Sequence, residues 1–71
     1  MQANELPIWV IYDKPSDIPD WFVARKWFLD RPTSELRLGR TLDEVRAKLP
    51  AGLYRLPRDP SDDAKIVESW I

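Results

Sequence analysis

Four tryptophans and eleven basic side chains, without one histidine or cysteine, set the chemistry open to this 71-residue chain. Carboxylates are the first candidates. Asp17 and Asp20 stand three apart around Pro19, a spacing at which two carboxylates can hold a cation or work as acid and base. Turn chemistry explains the same residues, because an aspartate beside proline bonds its own backbone and fixes a turn. Asp59, Asp62 and Asp63 make a second acidic loop. Calcium loops need ligands at alternate positions and a glycine at the bend, and neither loop has that glycine. Ser16, Ser34, Ser61 and Ser69 have no imidazole to activate them, and no glycine-rich phosphate cradle is present. The expectation is a protein that is not an enzyme and takes no cofactor or metal, with a cation or catalytic site at Asp17 and Asp20 as the third choice.

The sharper pattern is basic and aromatic. Arg25-Lys26-Trp27-Phe28 lies close to Trp21, Arg37 and Arg40. Cationic grooves with aromatic platforms hold single-stranded nucleic acid, each stacked base contributing about 1–3 kcal/mol. Trp27 exposed between Arg25 and Arg37 on neighbouring strands would be such a platform. Against this, a small domain needs its tryptophans in the core, and the net charge of −1 is unlike that of most nucleic-acid binders. Tryptophan and arginine also dominate protein interfaces, and terminal strands offer edges to a partner or a second copy. The leading expectation is therefore a non-enzymatic protein-interaction, accessory or regulatory module using Arg25, Trp27, Arg37, Arg40 and Trp21. Single-stranded nucleic-acid binding is the alternative.

The elements that must position these residues follow from period and punctuation. Trp21 to Leu29 holds four of the eight aromatics and reads as the central strand. Phe22, Ala24, Lys26 and Phe28 take one face, and Trp21, Val23, Arg25, Trp27 and Leu29 the other. Pro7–Tyr12 is a strand apolar on both faces, and the Asp- and Pro-rich segment 13–20 is a loop. Glu35–Gly39 alternates, with Leu36 and Leu38 inward and Glu35 and Arg37 in water, as the second arm of a hairpin.

Thr41-Leu42-Asp43-Glu44 spells a capping box, in which each end residue's side chain reaches the other's amide. Leu42, Val45 and Leu49 share a helical stripe with Arg46 at its margin. Pro50 and Gly52 stop a helix of about nine residues, which is too short to stand alone and must dock on the sheet. Leu53–Leu56 is a short strand cut off by Pro57, and Ala64–Ile71 is the last strand. The fold class is α+β: a small antiparallel or mixed sheet of four to five strands with one helix on one face, in the order ββ(β)αββ. One domain spans 1–71, with 1–6 frayed. Trp9, Trp27 and Trp70 are expected to be mostly buried, Trp21 less so, and at least one aromatic exposed.

Charge is unevenly spread, at −3 over residues 1–20, +3 over 21–40, +2 over 41–58 and −3 over 59–71. Acidic ends flanking a basic middle would pair across a sheet, although most charge runs are simply solvated. With no secretion signal, no apolar run long enough for a membrane and no cysteine, the expected compartment is cytoplasmic.

Trp9-Val10-Ile11-Tyr12-Asp13, Pro15-Ser16-Asp17, Pro19-Asp20, Phe22-Val23-Ala24-Arg25 and Trp27 resemble the opening of small uncharacterised bacterial proteins, some associated with prophages or mobile elements. The second half agrees, through Thr41–Arg46, Pro50, Gly52–Arg58, Asp62-Asp63 and Ile66–Trp70. The resemblance implies a bacterial, cytoplasmic, stand-alone domain of unknown function. It assigns no residue a role.

Overall fold

The computed structural model describes residues 6–28, 31–60 and 62–71. Five strands and one helix follow one another as β1 (Pro7–Asp13), β2 (Phe22–Phe28), β3 (Arg31–Gly39), α1 (Leu42–Ala47), β4 (Arg55–Leu56) and β5 (Ile66–Trp70). They form one sheet in the order β3-β2-β1-β5-β4, antiparallel at every pairing. The order βββαββ makes the third strand a full member, where the sequence left it optional. It is also the longest strand, at nine residues.

The middle of the sheet is β1, not β2, which the sequence marked as the central strand. β1 is flanked by β2 and β5, so both of its edges are paired, and its Trp9 and Ile11 lie at the middle of the face that meets the helix. Leu29, expected to end β2, and residues 1–5, most of the segment expected to fray, lie outside the described residues.

β3 begins earlier than Glu35 because Thr33 stitches the hairpin. Its hydroxyl donates to the Lys26 carbonyl at 2.8 Å and accepts from the Glu35 amide at 3.1 Å. These bonds sit at the register shift between Arg25 and Trp27, where a bulge absorbs surplus residues.

One face of the sheet meets α1. Trp9, Ile11 and Ala24 are buried there against Val45, with Phe22, Leu42, Leu49, Leu53, Val67 and Trp70 packed around them. Full burial of an aliphatic side chain such as Ile11 or Val45 contributes about 1.5–3 kcal/mol. Gly39 lets the helix come this close: a Cβ there would stand 2.6 Å from the Val45 amide nitrogen.

A charged clamp fixes the other end of the contact. Arg46 grips Glu68 with two bonds, Nη2 to Oε1 at 2.6 Å and Nε to Oε2 at 2.8 Å, and the Trp70 indole donates to the same carboxylate at 2.7 Å. Glu68 is 4% exposed. These donors, Arg46 first, hold its carboxyl below the ordinary value against the opposing effect of burial.

The helix cap matches the sequence signal at one half only. The Thr41 hydroxyl accepts from the Glu44 amide at 3.1 Å, but Glu44 reaches back to the Arg40 amide, at 2.6 Å, instead of that of Thr41. The α-helix itself is six residues long, shorter than expected. Its end tightens into three-residue bonds, Lys48 N to Val45 O and Leu49 N to Arg46 O, both 3.1 Å. Gly52 then takes a positive φ of 84° in open space.

The expected strand Leu53–Leu56 shrinks to β4, although Tyr54 and Ile71 still exchange both backbone hydrogen bonds, at 2.6 and 2.9 Å. Trp9 is 2% exposed. Trp21, Trp27 and Trp70 are all half-buried. The Arg40 guanidinium covers the Trp21 ring at 4.5 Å. The exposed aromatic is Tyr54. No described helix is long and apolar enough to cross a membrane.

Candidate functional site

The face of the sheet that points away from α1 is where the pattern of residue types stands out. Alternation places Ile8, Val10 and Tyr12 of β1 there, with Val23, Arg25 and Trp27 of β2 and Leu36 and Leu38 of β3. Registers align them in rows. Leu36, Arg25, Val10, Ser69 and Leu56 cross all five strands, while Trp27 lies opposite Ile8. A third row runs Leu38, Val23, Tyr12, Ile66.

The loop after β1 covers only that third row. A turn closed by Ile18 N to Pro15 O at 2.9 Å brings Pro15 and Ile18 over Val23, which is 2% exposed. A cleft of about 220 Å³ remains at its border, lined by Tyr12, Pro15, Asp17, Ile18, Val23 and Arg25. The other two rows carry no helix or loop in the described residues.

Pairing with Ser69 puts Leu56 on the same side, and Tyr54, which pairs with Ile71, follows it by alternation. Tyr54 is 78% exposed and Leu56 40%; Leu6, which continues the alternation of Ile8 and Val10, is 57% exposed. Scattered apolar exposure is ordinary, but a contiguous apolar patch on a small protein marks an interaction surface.

Charge is segregated across the sheet. The strand carboxylates Asp13, Glu35 and Glu68 all point to the helix side, as their pairings with Phe22, Lys26 and Ile11 show. The helix-free side has Arg25 at its centre, half-buried, donating from Nη1 to the Thr33 carbonyl at 3.0 Å. Burial raises the Tyr12 hydroxyl above its ordinary value; the Trp27 indole and the Arg25 guanidinium beside it act in the opposite sense. The Trp27 N–H is near enough to influence Tyr12, yet by distance and angle it bonds to nothing. A buried donor on this face is thus left without an acceptor.

Four of the five residues singled out in the sequence fall on this side of the sheet, in two separate pairs towards opposite ends of β2. Arg25 and Trp27 are two apart on β2, and Trp21 with Arg40 over its ring stands just beyond the ends of β2 and β3. Arg37 does not join them. Pairing sets it opposite Ala24 and sets Arg25 opposite Leu36, so Arg37 lies on the helix side, 5.0 Å over the Trp9 ring and 3.8 Å from Glu35. The platform of Trp27 between two neighbouring arginines therefore does not form. Leu36 and Leu38, read as core-facing, instead join the helix-free side, because α1 packs against the other face.

Asp17 and Asp20 are both exposed, Asp17 at the cleft's mouth. Among the described residues no three carboxylates gather where a metal ion would fit. In the second acidic loop, Asp62 accepts from the Asp59 amide at 3.1 Å and Arg58 bonds the Ile66 carbonyl at 3.0 Å, which is turn chemistry.

The aliphatic residues Ile8, Val10, Leu36, Leu38 and Leu56 escaped selection as site residues. Their alternation is plain in the sequence, but which face the helix takes is a tertiary fact. Comparison with protein-family models, with curated proteins and with solved structures finds no match for this chain.

Proposed function

We propose that this protein is a non-enzymatic interaction module that docks another protein on its helix-free sheet face. The observation that carries the reading is the two open rows of apolar side chains, joined by the most exposed hydrophobic residues among those described. A protein partner fits this surface better than a nucleic acid. Most side chains around Arg25 on this face are aliphatic, and the Trp21 ring, the stacking surface a base would need, is already covered by Arg40.

Site-specific photocrosslinking in cells tests this. A benzophenone side chain in place of Leu56 or Tyr54 is expected to give discrete protein adducts. The same group in place of Asp43, on the helix side and 94% exposed in its side chain, is expected to give none. Equal adducts from both sides, or none from positions 54 and 56, overturns the proposal. Nucleic-acid adducts at those positions decide for the single-strand alternative.

A further inference from the structure

We infer that the occupant of the helix-free face is an acidic amphipathic segment of a partner protein, with its apolar stripe on Ile8, Val10, Leu36 and Leu56 and a carboxylate on Arg25. The inference rests on the reading of that face as the docking surface, and adds the chemistry of what docks.

Arg25 is the main ground. It is a half-buried cation in a row between the apolar Leu36 and Val10, and its bond to the Thr33 carbonyl uses one of five N–H donors. The strand cations of the helix side are served differently. Lys26 has Glu35 at 3.3 Å, Arg37 has Glu35 at 3.8 Å and Arg55 has Glu68 at 3.8 Å. Among the described residues Arg25 makes no such ion pair, although Asp17 lines the same cleft. A partly desolvated charge without a counter-charge is costly, and a partner's carboxylate would complete it.

The sheet's other face shows the same arrangement with the signs exchanged. There α1 lays down Leu42, Val45 and Leu49, and its Arg46 grips the sheet's Glu68. Here the sheet supplies the cation, so the arriving segment supplies the acid. A second copy is the wrong occupant, because stacking this face on itself gathers arginines without a strand carboxylate to meet them. Oligonucleotides are disfavoured by the aliphatic middle row.

The test uses the full isotope-labelled chain and three synthetic amphipathic helices about 15 residues long, identical in their leucine stripe. The residues bordering the stripe are Glu, Gln or Lys. The Glu peptide is expected to shift amides of β1, β2 and β3 and to bind roughly fivefold tighter than the Gln peptide, with the Lys peptide weakest. Arg25→Glu inverts the order in favour of the Lys peptide. Arg25→Gln flattens it, and the amide spectrum shows whether each variant is folded.

Equal affinity of all three peptides at the sheet face overturns the acidic occupant and leaves the docking face standing. Shifts confined to α1, or no binding by any peptide, overturn the inference, and the crosslinking result then decides the face independently. Tighter, Arg25-dependent binding of oligothymidine to the same amides also overturns it.

Discussion

Glu68 shows how one side chain can hold two elements together. Its carboxylate is buried, faces Arg46 across the helix–sheet contact and accepts from Trp70. Replacing it by glutamine leaves the geometry but removes the charge. Glu68→Gln is expected to cost roughly 2–4 kcal/mol in urea unfolding. The clamp also makes stability depend on pH in a definite direction. The folded-state pKa of Glu68 is lowered from 4.5. Its contribution is therefore complete above the unfolded-state value and is lost as pH falls through the folded one. The difference in stability between wild type and Glu68→Gln should shrink as pH drops below that range; a constant difference removes the clamp's charge from the account. In the sequence Glu68 was legible only as a polar interruption of an apolar strand face. Arg46 sat at the margin of the helical stripe, but nothing local joins residues 22 positions apart.

At the level of elements, α1 depends on what stands before it. The Thr41 cap and the bare Cα of Gly39 act on the same first turn. Thr41→Ala removes one hydrogen bond from an exposed cap and should cost about 1 kcal/mol. Gly39→Ala drives a methyl into the Val45 backbone and should cost about 1–3 kcal/mol, because backbone cannot rotate away. Thermal unfolding of both variants should rank Gly39→Ala as the more damaging; the reverse order would mean that the helix does not press on β3 at Gly39.

Strands β1, β2 and β5 and the start of the helix were legible, since each carries its own period or cap. The hairpin into β3 was legible only from Glu35 onward, because Thr33 looks like turn chemistry until Lys26 is opposite it. The side taken by α1 was not legible at all. A strand with apolar residues on both faces does not declare which face a helix will choose, so Leu36 and Leu38 received the wrong surroundings.

For the whole molecule, the separation of charge across the sheet matters most. An open apolar face invites stacking between copies, and Arg25 at its centre opposes this by the cost of desolvating it against a like charge. The protein is expected to sediment as a monomer at tens of micromolar. Arg25→Leu should self-associate at concentrations where the wild type does not. An unchanged sedimentation coefficient would show that Arg25 does not guard the face. The candidate site was thus half legible: the arginines and tryptophans announced themselves by type. The aliphatic rows between them became a surface only when the registers were known.

The place of β1 between β2 and β5 carries a consequence for how the chain is made. β1 is the earliest described strand to be synthesised, and one of its two neighbours is the latest. A nascent chain that has finished β3 and α1 still lacks the strand that pairs with one edge of β1, and its Arg46 has no Glu68 to grip. Completing the sheet therefore requires β5, and its pairing with β1 closes the longest sequence separation in the sheet, a non-local contact of the kind that slows folding.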